Sequence, residues 1–348
     1  MTVEQIRVLV ADDSGFMQLL IKDILSADKT IKVVATAENG KQALEKTKYY
    51  QPDVILMDML MPKYDGLYGV EMIMQECPAP VVILSTVGND NIGPILTALN
   101  LGAFDYLNKP QGNTAKLRTI DSEIVKKVRQ AAKVDVKKLV AGRAEVNHLK
   151  HTFTDQRNYD IIVIGSSTGG PNALERIITK FPRNLIVPVI IAQHMPANFV
   201  NSFARRLNLL VPHEVLVAEK RMPIEDGKIY IAPGDRNMIL RKNKASGKVV
   251  VDFVDKVYEE YNNPSINSLM LSVAELYGSQ AIAVILTGMG RDGTEGMKAI
   301  KAKGGYAVAQ DRESSVVFGM PKEAIASGCV DRVVAIDEMG EFIISCLS

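Results

Sequence analysis

The chain has 348 residues, 47% hydrophobic and 23% charged, with formal net charge +1. These figures fit two soluble globular domains, and they exclude a disordered or strongly basic chain. The longest apolar run, "LIVPVIIA", has 8 residues, far short of the ~20 that span a bilayer.

The first 110 residues alternate apolar runs with helical patterns. "IRVLVA", "IKVVATA", "DVILMD", "PVVILS" and "FDYLN" read as buried strands. Between the first two, Met17, Leu20, Ile21, Ile24 and Leu25 fall on one helix face. The beat predicts a flavodoxin-like parallel sheet of five strands covered by helices. Sites in such sheets lie beyond the carboxyl ends of the strands. There the sequence puts Asp12 and Asp13, Asp58, Ser85, and Lys109. Crowded carboxylates call for a cation, and an all-oxygen set suits Mg²⁺, with Asp12, Asp13 and Asp58 as its ligands. A lysine and a hydroxyl beside it suit a phosphoryl group.

"VADD", "LMDMLMPKYDG", "VVILS" and "YLNKP" together resemble the response-regulator receiver domain over residues 4–125. The resemblance implies that Asp58 accepts a phosphoryl group from a phosphohistidine of a partner histidine kinase. It also implies that Ser85 and Lys109 contact the phosphoryl oxygens and that Tyr106 reorients on switching. Leu60 departs from the polar residue common at its place, which leaves the lifetime of the acyl phosphate open.

Residues 126–158 hold 9 Lys/Arg against 3 Asp/Glu, whereas residues 1–125 hold 11 against 16 and residues 159–348 hold 21 of each. Nucleic acid, an acidic protein face or simple solvation would each suit the basic segment; solvation is the favoured reading. A helix is expected from about Leu117, followed by a flexible linker over 132–158. The expected division is a receiver at 1–125, a basic linker at 126–157 and a second domain at 158–348. Cys77, Cys329 and Cys346 lie far apart without metal-like spacing, as in a reducing cytoplasm.

The second half is again α/β, expected to be doubly wound. Strands are expected at "DIIVIG", "VPVIIAQ", "HEVLVAE", "KIYIAP", "KVVVDFV", "AIAVILTG", "YAVAQ" and "RVVAI", with a β-hairpin within 229–254. Helices fit 171–181, 197–207, 265–277, 293–302, 320–327 and 337–346. "GSSTG" after the first of these strands matches G-x-S-x-G between a strand and a helix. A phosphate-cradling loop is the rival reading. It is weakened because the second strand ends in Gln193 and His194, not in the acidic residue of a dinucleotide site. His148 and His151 fall in the linker, and His213 reads as a surface residue. That leaves His194 as base for Ser167, with Asp292 on the same rim to orient it. The order Ser…His…Asp differs from the Ser…Asp…His of α/β-hydrolases. Taken singly, each piece has a structural reading too; Asp292, for one, could cap the following helix.

"IGSSTGG", "QHMP" and "LTGMGRDG" resemble the catalytic domain of the chemotaxis protein-glutamate methylesterases over about 158–346. The resemblance implies hydrolysis of γ-glutamyl methyl esters on chemoreceptors and deamidation of receptor glutamines. It implies oxyanion contacts from the backbone near Thr168 and Met289, and phosphorylation control in which the unphosphorylated receiver inhibits the esterase. Ser166 adds a second hydroxyl beside Ser167. A phosphorylation-dependent scaffold and an esterase for another substrate remain alternatives. The expected partners are methylated chemoreceptors and the kinase, without nucleic acid or membrane insertion; the expected location is the cytoplasm, and the esterase needs no cofactor.

Overall fold

The computed structural model describes residues 5–85, 92–109, 121–140, 159–255 and 263–347. The chain divides into two compact units, Met1–Ala144 and Glu145–Ser348.

In the first unit, β1 (Ile6–Ala11), β2 (Ile31–Ala37), β3 (Val54–Asp58), β4 (Val81–Ser85) and β5 (Asp105–Asn108) form a parallel sheet in the order β2-β1-β3-β4-β5. β3 and β4 are buried along their whole length, which explains their unbroken apolar runs. Helices begin where short polar side chains accept backbone N–H groups. Ser14 caps the helix Gly15–Ser26 through Met17 N, Asn39 caps Gly40–Tyr50, and Asp65 caps Gly66–Glu76.

The expected boundary at residue 125 falls inside a helix, Asp121–Ala131, and is corrected. Ile124, Val128 and Ala131 are buried, so residues 126–131 belong to the first unit. Part of the basic charge has a local use: Lys127 pairs with Asp105 on β5, and Arg129 reaches Asp28 at 2.5 Å. A further short helix spans Val136–Val140. The rest of the expected linker, with His148 and His151, lies outside the described residues, as do Leu117 and Thr86.

The second unit adds β6 (Ile161–Ser166), β7 (Val189–Gln193), β8 (Val215–Val217), β9 (Ile229–Ile231), β12 (Ala281–Ile285), β13 (Tyr306–Gln310) and β14 (Arg332–Val334), in the order β14-β13-β12-β6-β7-β9-β8. Every neighbouring pair is parallel. β10 (Asn237–Lys242) and β11 (Val249–Val254) form the antiparallel hairpin. Helices occupy the six expected places, with ends displaced by at most three residues. Leu174, Ile177 and Ile178 of helix Gly170–Ile178 are fully buried, each worth about 1.5–3 kcal/mol over exposure.

Both sheets change direction at a definite point. From β1 the chain steps outward to β2 and then returns to β3 on the other side. From β6 it runs outward through β7, β8 and β9 and returns to β12. Such reversals open crevices at the strands' carboxyl ends. The expected site residues stand there: Asp12 and Asp58 after β1 and on β3, Ser167 and Asp292 after β6 and β12.

Candidate active site

In the first unit, ligand oxygens of Asp12, Asp13 and Asp58 all lie within 4.8 Å of one another. Asp12 and Asp58 are buried and Asp13 is exposed. Three hard oxygen donors with one side open to solvent fit a small divalent cation such as Mg²⁺. Lys109, itself buried, sets Nζ 2.5 Å from Asp12 Oδ2 and 2.9 Å from Asp58 Oδ2. Burial pushes the Asp58 carboxyl above its ordinary value, and Lys109 only partly offsets this. Leu60 donates its N–H to Asp58 Oδ1 at 3.4 Å while its side chain points into solvent, 64% exposed. Ser85 is buried at the end of the neighbouring strand. Burial, then the nearby Asp105 and Glu123 charges, push the Tyr106 hydroxyl far up. It therefore stays a neutral phenol.

In the second unit, β6 delivers Ser166 and Ser167 to the crevice. The two serines have opposite fates. Ser166 is fully buried, and its hydroxyl donates to Gln193 Oε1 at 2.6 Å. Ser167 is half-buried. The competing hydroxyl is thus turned inward, and Ser167 is the serine left at the surface of the crevice. Gly169 takes the left-handed turn, with φ 78°, and Ser167 is not among the described non-glycine residues of positive φ. Strain in this turn therefore rests on a glycine and not on the serine, unlike the strained elbow that G-x-S-x-G names. Gly169 also packs close to Val316, where a Cβ would come within 2.8 Å.

His194 follows β7. Its Nε2 lies 2.8 Å from Asp292 Oδ2. A carboxylate only accepts, so Nε2 carries the hydrogen and Nδ1 is the basic nitrogen. The ring is turned end for end relative to the chymotrypsin arrangement, where Nδ1 faces the aspartate.

Among the described residues, Asp292 holds five hydrogen bonds, the first of them to His194. Its Oδ2 also accepts from Ile266 N at 2.8 Å. Its Oδ1 accepts from Asn267 N and Gly293 N, both at 2.9 Å, and from Ser265 Oγ at 3.4 Å. Burial alone would push this carboxyl up. The hydrogen bond and charge of His194 and the N–H groups of Asn267 and Ile266 outweigh it and hold the carboxyl below its usual range. Asp292 does not cap the following helix, whose N-cap Gly293 makes no side-chain cap bond; together with Ser265 it caps a different helix, Ile266–Tyr277. One carboxylate caps that helix and holds His194.

The loop after β12 closes the other side. Thr287 O accepts Ser167 N at 3.0 Å, and Thr287 Oγ1 donates to Thr168 O at 3.0 Å. A Cβ on Gly288 would come within 2.7 Å of Ser167 Cβ, so only glycine lets this loop approach the serine. Met289, the next residue, is 39% exposed. Gln310 fixes Thr287 by accepting its N–H at 2.8 Å, and Val317 N donates to Thr287 Oγ1 at 2.9 Å. The expected surface histidine, His213, is instead buried, with Nε2 2.9 Å from Pro182 O. Reading the sequence missed the supports Gln193, Ser265, Thr287 and Gln310. Only Gln193, adjacent to His194, had a local signal.

The chain matches two family models: the response regulator receiver domain over residues 8–120 and the CheB methylesterase over residues 162–343. It is 40% identical to the protein-glutamate methylesterase/protein-glutamine glutaminase of Thermotoga maritima, over 99% of each chain. It is 38% identical to the protein of the same name from Methanosarcina barkeri, again over 99% of each. The solved catalytic domain of Thermotoga maritima CheB methylesterase is 40% identical and superposes with a TM-score of 0.52, covering 55% of this chain and 100% of that one. Among the described residues no helix is long and apolar enough to cross a membrane. With both halves matched in order and along nearly its whole length, the chain belongs to the protein-glutamate methylesterase/protein-glutamine glutaminase family.

Proposed function

We propose that Ser167, His194 and Asp292 catalyse the family's two reactions on chemoreceptor side chains: hydrolysis of glutamate γ-methyl esters and deamidation of glutamine. His194 Nδ1 takes the Ser167 proton as Oγ attacks the γ-carbonyl carbon. The tetrahedral intermediate collapses, the bond to methoxide or to the amide nitrogen breaks, and the proton passes from Nδ1 to give methanol or ammonia. Water then attacks the acyl-serine, with its proton taken by Nδ1, and Ser167 Oγ leaves with that proton. Backbone N–H groups at Thr168 and Met289 serve the oxyanion, aided by the N-terminus of helix Gly170–Ile178. The observation that carries this reading is the 2.8 Å contact between His194 and the wholly buried Asp292 side chain, on the rim where β6 presents Ser167.

The first unit is the control element. Asp58 accepts a phosphoryl group from a phosphohistidine of a partner histidine kinase, with Ser85 and Lys109 on the phosphoryl oxygens and Tyr106 answering the change. Asp12, Asp13 and Asp58 hold Mg²⁺, which when bound compensates the charge of the carboxylates and the phosphoryl group. Phosphorylation raises esterase activity, and the protein works in the cytoplasm. The test is methanol release from methylated chemoreceptor membranes with and without a small phosphodonor and Mg²⁺. Release that rises with phosphodonor supports both sites. Unchanged release refutes control by Asp58, and no release refutes the esterase reading in favour of a scaffold or another ester.

A further inference from the structure

Gln193 stands between the nucleophile and its base and touches neither reacting atom. It is buried, at 2% exposure. Its Nε2 donates to Ser167 O at 3.0 Å and to His194 O at 2.9 Å. Its Oε1 accepts from Ser166 Oγ at 2.6 Å. One planar amide therefore ties the backbone of the nucleophile to the backbone of the base, across the gap between β6 and β7. The two carbonyls fix the amide's orientation, because they only accept and so face Nε2, which leaves Oε1 to accept from Ser166 Oγ. The space is shaped for this group: a Cβ on Gly170 would come within 2.0 Å of Gln193 Oε1. A backbone bond, His194 N to Ser166 O at 3.0 Å, continues the same seam.

We infer that Gln193 is a positioning residue of the reaction, an amide clamp that sets the approach of His194 Nδ1 to Ser167 Oγ. The inference rests on the assignment of Ser167 and His194 made above. Both residues lie just past the ends of their strands, where the ladder's last bond, His194 N to Ser166 O, reaches His194 but not Ser167. Two donated hydrogen bonds to the carbonyls of those two residues extend it. Misplacement of reacting groups by about 1 Å costs roughly 10²-fold in rate, and the clamp acts on that distance.

The chemistry supplies a discriminating variant. Gln193→Glu keeps the size but puts a carboxylate opposite two carbonyl oxygens. That group donates only when protonated, and burial pushes a carboxyl's pKa up. With one hydrogen to donate where the amide has two, the clamp in this variant therefore half-closes at low pH and opens as pH rises, while His194 must be neutral to act as base. The wild-type amide does not titrate, so its clamp stays closed across the same range.

The experiment compares wild type, Gln193→Ala, Gln193→Glu and Ser167→Ala in the full-length protein, with methanol release from methylated receptor membranes from pH 5 to 9 and thermal melts at each pH. The account expects Gln193→Ala to lose kcat by roughly 10²-fold with KM little changed. It expects Gln193→Glu to gain a falling alkaline limb absent from wild type, at pH values where its melt stays cooperative. A folded Gln193→Ala with kcat within about threefold of wild type, or a Gln193→Glu profile parallel to wild type, overturns the inference. If Gln193→Ala does not fold, the Gln193→Glu profile alone decides. Retained activity in Ser167→Ala would instead overturn the assignment on which the clamp rests.

Discussion

Asp292→Asn tests the arrangement at its most demanding point. Five groups donate to this carboxylate: His194 Nε2, Ile266 N, Asn267 N, Gly293 N and Ser265 Oγ. An amide offers one acceptor oxygen and one NH₂. With the NH₂ at the Oδ2 place it faces His194 and Ile266. The ring must then accept at Nε2, its hydrogen moves to Nδ1, and the base toward Ser167 is lost. With the NH₂ at the Oδ1 place it faces the N–H groups of Asn267 and Gly293 and leaves both buried and unpaired. The first outcome resembles the tautomer error of a triad aspartate-to-asparagine change, which costs ~10⁴-fold in kcat. Either orientation also gives up charged hydrogen bonds worth about 1.5–3 kcal/mol each, and about 2–4 °C of melting temperature per kcal/mol in a domain of this size. Methanol release and a thermal melt of the same preparation read both effects. A loss of less than about tenfold in kcat with an unchanged melt would refute the role given to Asp292.

Other outcomes follow from the same geometry. Asp292 is held below the ordinary carboxylate range, so its contribution to stability is full above the unfolded value and lost as pH falls through the folded one. An acid melt of the second unit should therefore be shallower in Asp292→Asn than in wild type, and an equal acid slope would contradict this. Asp58 is shifted the other way: its stabilising contribution is present below the unfolded value and lost as pH rises through the raised one. Asp58→Asn should raise the melting temperature of the first unit at pH 7 without Mg²⁺ and abolish activation by phosphodonor; a lowered melting temperature would contradict the cost of that buried charge. Mg²⁺ should raise the wild-type melting temperature and lose most of that effect in Asp13→Asn, and an equal gain in both would remove Asp13 from the metal set. Ser166→Ala should keep the esterase within about tenfold of wild type and lose about 1–3 kcal/mol of stability from the unpaired Gln193 oxygen; loss of activity as complete as that of Ser167→Ala would contradict the inward role of Ser166.

The candidate site residues were legible because parallel sheets put their sites at strand ends, and strand ends are visible as the last polar residues of apolar runs. Asp12, Asp58, Lys109, Ser167 and His194 could each be placed that way. The G-x-S-x-G spacing picked out Ser167, but the inward turn of Ser166 onto Gln193 was not legible, because one residue of register decides which side chain faces the core. The supports were hidden for a related reason. Ser265, Thr287 and Gln310 come from segments far apart in the chain, and their hydrogen bonds exist only once β12 lies between β13 and β6. The boundary at residue 125 failed because basic composition reads as linker, whereas Lys127 and Arg129 spend their charge on Asp105 and Asp28 of the acidic unit.

The central claim is that Ser167 is the nucleophile. The direct measurement is peptide mass spectrometry after reaction with a serine-directed fluorophosphonate, alongside methanol release by Ser167→Ala. The account predicts one adduct, on Ser167 and not on Ser166 or Thr168, and a variant without measurable methanol release. An adduct on another residue, or a Ser167→Ala variant within a few-fold of wild type, would contradict it.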